Sequence, residues 1–200
     1  SKYRKIILKI SVNKSDIRKK IISLRRRKFN GNLEIKSNLL FKLFKEIKIN
    51  SKIIGGYYPF NFELDILDIL QKLEKKNFII SLPRVNKNNK MDFFIWSHKD
   101  PLKINKYGIP ETTSQKKVFP NILLIPLVAF DNQLYRLGYG GGYYDRYISR
   151  FESRKKLIKI GVGFTFQKVK KLPINKYDKK LNYLITEKGI IRWKFFSSEM

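Results

Sequence analysis

Residues 122–146, ILLIPLVAFDNQLYRLGYGGGYYDR, form the stretch around which the rest of the chain is organised. They open with an unbroken apolar run, residues 122–130, which is typical of a buried strand. Pro126 within this run must break a ladder hydrogen bond or mark a bulge. Asp131 follows the run directly, in the place where α/β folds put their ligand chemistry. The stretch therefore predicts a buried strand that leads into a ligand site.

A glycine-rich loop comes next and holds four of the chain's eleven glycines, between Gly138 and Gly142. Because glycine lacks a Cβ, such a loop can adopt positive φ and bring several backbone N–H groups close to a ligand. At the start of a helix these groups bind anions, most often phosphate. Arg136 before the loop and Asp145 after it offer a cation for phosphate oxygens and a carboxylate for a metal ion. The loop matches neither the P-loop nor the dinucleotide-binding spacing, so a purely structural turn stays open.

The remaining chain alternates between helical and strand patterns. Apolar spacing predicts helices over residues 13–28, 39–47, 63–76 and 144–151. Strands are predicted over residues 52–58, 78–82, 91–96, 122–130, 158–164 and 183–186, followed by the pair Ile190-Ile191. Pro59 ends the first strand and Pro83 the second, Asn30-Gly31-Asn32 breaks the chain between two helices, and residues 98–120 are a connecting loop.

The order strand, helix, strand over residues 52–82 predicts a βαβ unit with a right-handed crossover. The fold class is α/β, as a single three-layer α/β/α domain over residues 1–200. Its central sheet is mostly parallel or mixed, in a Rossmann-like arrangement.

Composition excludes several kinds of chemistry. The 200 residues, 42% of them hydrophobic, can form one domain with its own core. Cysteine is absent and His98, in a polar turn, is the single histidine. Disulfides, thiolate zinc sites, cysteine nucleophiles and any histidine triad not built on His98 are excluded.

No apolar run approaches the roughly 18 residues that a membrane span needs. Residues 1–10 echo a signal peptide only weakly, because Lys9 interrupts the apolar part and no small-residue cleavage site follows. We expect a cytoplasmic monomer without a membrane partner.

The formal net charge of +28 would fit a basic nucleic-acid-binding module. The lysines are scattered along the whole chain, however, with abundant isoleucine and asparagine and the single alanine Ala129, a pattern typical of an AT-rich coding sequence. We expect no specific nucleic-acid partner. The nucleic-acid module and a non-catalytic nucleotide-binding protein of the same fold remain the alternatives.

The segment Phe130-Asp131, continued by Arg136-Leu137-Gly138-Tyr139-Gly140-Gly141-Gly142-Tyr143-Tyr144-Asp145-Arg146, closely resembles the signature of the 5-formyltetrahydrofolate cyclo-ligase family. Further similarities follow in the family's order over nearly the whole chain. They are Lys14 with Arg18, Tyr58-Pro59 with Glu63, Leu82-Pro83-Arg84-Val85, Met91, Tyr107-Gly108-Ile109-Pro110-Glu111, Ile160-Gly161-Val162-Gly163-Phe164 with Gln167, Leu172-Pro173, Asp178 and Ile185-Thr186-Glu187.

The resemblance implies a ligase that uses ATP and Mg²⁺ to convert 5-formyltetrahydrofolate to 5,10-methenyltetrahydrofolate, with release of ADP and phosphate. Such a reaction needs positioning and electrostatic stabilisation and no protein nucleophile, which fits a chain without cysteine. The residues that the resemblance assigns fall into four groups. The catalytic group is Lys14, Arg18, Arg136 and Tyr139; ATP contacts are Lys14, Arg18, Arg136, Leu137, Gly138, Tyr139, Gly140, Gly141, Gly142, Tyr143 and Tyr144; folate contacts are Tyr58, Glu63, Tyr107, Tyr139 and Tyr143; the Mg²⁺ ligands are Asp145 and Asp178.

Several of these residues have a simpler explanation. Lys14 and Arg18 could be a solvated helix flank, and Asp178 could cap a loop. Glu63 could be a favourable acid in the first turn of the helix over residues 63–76, and Tyr107 could be a packed surface aromatic.

Tyr139 departs from some members of the family, which carry a basic residue there. Its hydroxyl leaves the positive charge to Lys14, Arg18, Arg136 and Arg146.

Overall fold

The computed structural model describes residues 13–29, 34–49, 52–154 and 156–192. The helices are α1 (Lys14–Lys28), α2 (Ser37–Glu46), α3 (Leu67–Lys75) and α4 (Tyr143–Phe151). The strands are β1 (Ile53–Gly55), β2 (Ile79–Val85), β3 (Met91–Ile95), β4 (Leu102–Ile104), β5 (Pro110–Thr112), β6 (Lys117–Val118), β7 (Ile122–Pro126), β8 (Ala129–Phe130), β9 (Arg136–Leu137), β10 (Ile158–Val162), β11 (Tyr183–Thr186) and β12 (Gly189–Arg192). The predicted chain break at Asn30-Gly31-Asn32 and the signal-like residues 1–10 lie outside the described residues.

The central sheet of the described part has eight strands in the order β12-β11-β10-β7-β1-β2-β3-β6. Strands β11, β10, β7, β1 and β2 run parallel, whereas β12 at one edge and β3 and β6 at the other are antiparallel to their neighbours. β1 and β2 are paired in parallel, and helix α3 connects them, as in the predicted βαβ unit. The mixed, mostly parallel sheet is confirmed.

Side chains of β7 separate the two faces of the sheet. Leu124 belongs to the apolar cluster that includes α2 and α3, whereas Leu123 and Ile125 belong to the cluster around α4. Because both faces are covered, β7 needs apolar residues at successive positions, which explains its unbroken apolar run. The three-layer α/β/α arrangement is thereby confirmed.

Helix α1 packs against the short β8–β9 hairpin, where its Ile17 and Ile21 join a third apolar cluster with Val128 and Leu137. Asn13 caps the helix by accepting a hydrogen bond from the backbone N–H of Asp16 at 2.9 Å. This packing lays α1 beside the glycine-rich loop that follows β9.

Several predicted boundaries were wrong. β1 ends at Gly55 rather than just before Pro59, and α3 begins at Leu67 rather than at Glu63. β2 does not stop at Pro83 but continues to Val85, with Pro83 opposite Phe93 of β3. The apolar run over residues 122–130 forms two strands, because β7 ends at Pro126 and β8 turns away to pair with β9. Residues 98–120 are not simply a loop, since they contain the β4–β5 hairpin and β6. Their strands of two or three residues are too short for the alternation over four to eight residues that sequence patterns detect.

Within the described residues, none of the helices combines the length and the apolar character that a membrane crossing demands.

Candidate active site

The predicted site residues meet in one cleft of about 1080 Å³. It opens beyond the carboxyl ends of β1, β2 and β7. Val85 and Pro126, the last residues of β2 and β7, line it together with Tyr57, which follows β1 by two residues. Every residue that the resemblance assigned lines it: Lys14, Arg18, Tyr58, Glu63, Tyr107, Arg136, Leu137, Gly138, Tyr139, Gly140, Gly141, Gly142, Tyr143, Tyr144, Asp145 and Asp178. Segments far apart in sequence are thus brought to one place.

The glycine-rich loop has the backbone geometry of an anion cradle. Gly140 and Gly142 have φ of +110° and +63°, a region that side-chain-bearing residues rarely adopt. Gly142 is the N-cap of α4, and within the described part of the chain no N-cap side chain bonds the N–H groups of the first turn. Arg18 from α1 donates its Nε–H to the carbonyl of Gly138 at 2.8 Å, so the loop and a cation are held together.

Two ion pairs lie side by side in the lining of the cleft. Arg136 is paired with Asp145 at 3.0 Å and is almost fully buried. Lys14 is paired with Asp178 at 2.6 Å. The two pairs are adjacent, because the backbone N–H of Lys179 donates to Asp145 Oδ1 at 2.9 Å. Lys14 is therefore not a freely solvated helix flank.

Asp145 and Asp178 differ in how many hydrogen bonds their carboxylate oxygens accept. Among the described residues, Asp145 Oδ2 accepts no hydrogen bond, whereas both oxygens of Asp178 contact Lys14 and its Oδ2 also accepts from the N–H of Asn175 at 2.7 Å. Asp178 thus caps its own turn as well as pairing across the cleft.

The described residues include no cluster of three or more histidine or acidic side chains that could hold a metal ion without help. Mg²⁺ is commonly held by one or two carboxylates together with substrate phosphates and water. The donors present therefore fit an ion bound jointly with a triphosphate.

Glu63 is a buried carboxylate in the lining of the cleft, 6% exposed. Its Oε2 accepts the backbone N–H of Phe60 at 3.0 Å. Burial raises the pKa of this carboxyl to about 7, although the Phe60 N–H, the charge of Arg25 and the Tyr139 hydroxyl oppose the shift. α3 begins only at Leu67, so the explanation of Glu63 as an acid in the first turn of that helix is wrong.

Tyr139 of the loop and Tyr144 of α4 both lie near enough to Glu63 for its charge to act on them. The Tyr139 ring is 42% exposed, but its hydroxyl reaches inward to the guanidinium of Arg25. Burial, followed by the nearby Glu63 charge, raises the pKa of Tyr139 to about 12. The Tyr144 hydroxyl is buried and has no hydrogen-bond partner among the described residues, and burial raises its pKa above the ordinary value.

Tyr107 stands at the mouth of the cleft, in the turn between β4 and β5. It is 47% exposed, and the Lys106 ammonium lies 5.0 Å from the centroid of its ring. A hydrogen bond between the hydroxyls of Tyr107 and Tyr143 lowers the pKa of Tyr107 and raises that of Tyr143. Tyr58 lines the same cleft after β1.

Asp131 proved to be structural rather than a ligand group. It is 2% exposed, is absent from the cleft, and accepts backbone N–H bonds from Gln133, Tyr135 and Leu172 at 2.9–3.1 Å. The prediction of ligand chemistry at this position was wrong, because the hairpin needs the carboxylate to tie its own turn.

Sequence reasoning also missed Arg25. It lies four residues after Ile21 and eight after Ile17, on the buried face of α1. A charged residue at an apolar-stripe position was the signal that could have identified it.

Comparisons with known proteins agree on one family. The model of the 5-formyltetrahydrofolate cyclo-ligase family matches residues 10–187. The chain is 32% identical to the "Probable 5-formyltetrahydrofolate cyclo-ligase" of Schizosaccharomyces pombe, over 64% of this chain and 69% of the yeast protein. It is 33% identical to the 5-formyltetrahydrofolate cyclo-ligase of Haemophilus influenzae, over 64% of this chain and 72% of that protein.

Solved structures are similar as well. The 5,10-methenyltetrahydrofolate synthetase of Aquifex aeolicus superposes with a TM-score of 0.69 at 29% identity, covering 94% of this chain and 96% of its own. The synthetase of Mycoplasma pneumoniae gives a TM-score of 0.68 at 27% identity, covering 90% and 99%. The order of motifs and the fold agree with these matches, and the chain belongs to the 5-formyltetrahydrofolate cyclo-ligase family of ligases.

Proposed function

We propose that this protein uses ATP and Mg²⁺ to convert 5-formyltetrahydrofolate to 5,10-methenyltetrahydrofolate, with release of ADP and phosphate. One observation carries the proposal. A single cleft joins a cation-rich glycine loop, suited to a triphosphate, to a buried carboxylate among aromatic side chains, suited to a flat heterocycle.

The chemistry explains why both substrates must share the cleft. The N5-formyl group is an amide, whose oxygen cannot leave as oxide. Transfer of the γ-phosphoryl group to that oxygen breaks the bond between the γ-phosphorus and the bridging oxygen and releases ADP. The product is an iminium phosphate. N10 then attacks the formyl carbon, its proton is lost, and the carbon–oxygen bond breaks as phosphate leaves.

The negative charge of the triphosphate, and of the phosphoryl group during its transfer, is proposed to be neutralised by Lys14, Arg18 and Arg136. The backbone of residues 137–144 would bind the phosphate oxygens. Bound Mg²⁺ would add charge neutralisation on the phosphate oxygens. Asp145 and Asp178 would hold the ion. For Asp178 this requires Lys14 to exchange its carboxylate partner for a phosphate oxygen.

In the same cleft, the buried carboxylate of Glu63 is proposed to accept hydrogen bonds from the amino and ring N–H groups of the pterin. An ionised carboxylate accepts at both oxygens, so this role requires the deprotonated form. Tyr58, Tyr107, Tyr139 and Tyr143 would contact the folate rings, and aromatic stacking is the contact that these rings favour.

We further propose that the protein acts as a monomer in the cytoplasm and has no specific nucleic-acid partner. A nucleic-acid module would bind polyanions with steep salt dependence and would have no use for a glycine cradle followed by Tyr-Tyr-Asp-Arg. A binding-only protein would take up ATP without turnover.

One assay separates these functions. The protein is incubated with 5-formyltetrahydrofolate, ATP and Mg²⁺, and the near-ultraviolet absorbance of the methenyl product is followed. We expect a rise that depends on ATP and on Mg²⁺. Absence of any ATP-dependent rise, from a protein that still binds ATP, would leave the binding-only function in its place.

A further inference from the structure

Arg25 is an almost fully buried arginine, 1% exposed, near the carboxyl end of α1. It donates from Nη1 to the carbonyl of Leu127 at 3.3 Å and from Nη2 to the hydroxyl of Tyr139. Its Nε has no hydrogen-bond partner among the described residues. A guanidinium that is always charged, buried and incompletely bonded costs folding free energy. Core packing alone does not account for it, because an apolar residue would fill the same stripe position of α1.

Glu63 provides the reason. This carboxyl is 6% exposed and is faced by titratable groups from four directions. They are Arg25 from α1, Tyr57 from the segment after β1, Tyr139 from the glycine loop and Tyr144 from α4, with Arg136 acting on Tyr144 from further away. Among them Arg25 is the cation whose charge acts on Glu63. Among the described residues, the hydrogen-bond donors that act on Glu63 are the Phe60 backbone N–H and the Tyr139 hydroxyl, whereas the Tyr57 hydroxyl donates to the carbonyl of Leu64 at 2.6 Å.

Tyr139 connects the two charges. The Tyr139 hydroxyl accepts a hydrogen bond from Arg25, and the centroid of the Tyr139 ring lies 5.6 Å from the guanidinium carbon. The same hydroxyl favours the ionised form of Glu63. An oxygen that accepts from a guanidinium directs its own proton away from it, and Glu63 is the neighbouring acceptor.

We propose that Arg25 is a positioning residue of the reaction, which holds the hydroxyl of Tyr139 and places a buried positive charge on the side of the cleft where Glu63 would bind the pterin. The inference rests on the proposed function, because it takes folate as the ligand of Glu63. Arg25 itself does not line the cleft and acts through Tyr139 and Glu63.

The test compares Arg25→Gln with Arg25→Lys. Both shorten the side chain and lose the planar fork, but only lysine keeps the positive charge. The readout is the dissociation constant of 5-formyltetrahydrofolate, measured by calorimetry across the pH range without ATP. In the unchanged protein, binding should weaken as pH falls through about 7, where Glu63 takes up a proton.

For Arg25→Gln we expect the midpoint of this pH dependence to rise by about one pH unit, because removing an opposite charge disfavours the carboxylate. Arg25→Lys should keep the midpoint close to that of the unchanged protein, even where affinity falls. Arg27→Met, at an exposed position of the same helix, is the control and should leave affinity and midpoint unchanged. Circular dichroism and thermal unfolding confirm that each variant is folded.

An unchanged midpoint in a folded Arg25→Gln protein would overturn the proposal, as would equal shifts in the Gln and Lys variants. Tyr139→Phe gives a second route that leaves Arg25 in place. It should also raise the midpoint, by less than Arg25→Gln, and an unchanged midpoint there would refute the role of the hydroxyl. Failure of the proposed function is distinct, because the unchanged protein would then bind no folate at any pH.

Discussion

Asp145 is the residue on which the proposed metal site depends most directly. It has one carboxylate oxygen in bonds to Arg136 and Lys179 and the other free among the described residues. Asp145→Asn keeps an oxygen for both bonds, so the fold should persist. We expect turnover to fall by about 100-fold or more, a magnitude typical of removing one charge-stabilising group from such a site.

The measurement is initial rate against Mg²⁺ concentration at saturating ATP, together with the melting temperature. Asp68→Asn is the matched control, since Asp68 forms only an exposed pair with Lys72 on α3. Normal turnover and an unchanged Mg²⁺ requirement in the Asp145→Asn protein would remove Asp145 from the metal site.

Glu63 should cost stability at neutral and alkaline pH. Its pKa is raised from 4.5 to about 7, so the folded state binds the proton more tightly than the unfolded state does. Stability from this group is therefore fully present below about pH 4.5 and is lost as pH rises through about 7. Glu63→Gln should be more stable than the unchanged protein above pH 7, by an amount on the order of 3 kcal/mol.

Denaturant unfolding of both proteins at about pH 5 and about pH 8 checks this expectation. The exposed Glu34→Gln change is the control and should give nearly the same small difference at both pH values. An unfolding free energy of Glu63→Gln that tracks the unchanged protein at both pH values would mean that the carboxyl is not held in a desolvated site.

At this scale, every residue that the family resemblance assigned to the site lines the cleft, although motif residues such as Met91 and Glu111 also line it and were assigned no role. Sequence reasoning misjudged Asp131 and missed Arg25. Both errors have the same physical cause, because a carboxylate after a strand and an arginine in a basic helix look alike whether they face a ligand or the interior. Only the packing of α1 against the β8–β9 hairpin decides where Arg25 points.

The glycine loop is the element whose backbone conformation matters most. Gly140 has φ of +110°, whereas a Cβ at Gly138 would meet no atom within 4 Å and its φ is not in the left-handed region. Gly140→Ala should lower the unfolding free energy by about 1–2 kcal/mol and weaken ATP binding through displaced N–H groups. Gly138→Ala is the matched control and should leave the unfolding free energy nearly unchanged.

Equilibrium unfolding and ATP calorimetry of both variants measure these effects. Equal stability and equal ATP affinity of the two alanine variants would contradict a cradle that depends on positive φ at Gly140.

Elements with strong apolar periodicity were predicted well. The β1–α3–β2 unit and helix α1 follow from apolar spacing and capping chemistry, which act locally. The β4–β5 hairpin was not predicted, because its short strands are partly exposed and polar. It nevertheless carries Tyr107 to the cleft, so the least predictable element supplies a residue of the proposed folate site.

The whole molecule carries a net charge of +28, which must oppose its compact state. Raising NaCl from about 0.01 M to about 0.3 M shortens the screening length about fivefold. We therefore expect the melting temperature to rise with NaCl, because self-repulsion is screened more than the few exposed ion pairs are weakened. A melting temperature that falls steadily with NaCl would show that attractive pairs dominate instead.

The central claim is that the cleft brings the γ-phosphoryl group of ATP to the formyl oxygen of the folate. The most direct test uses 5-formyltetrahydrofolate labelled with ¹⁸O in the formyl group, with ATP and Mg²⁺ in unlabelled water. Mass spectrometry of the released phosphate should find one ¹⁸O atom for each methenyl product formed. Unlabelled phosphate alongside methenyl product would contradict phosphorylation of the formyl oxygen. It would also contradict the proposal that the cleft holds ATP and folate side by side.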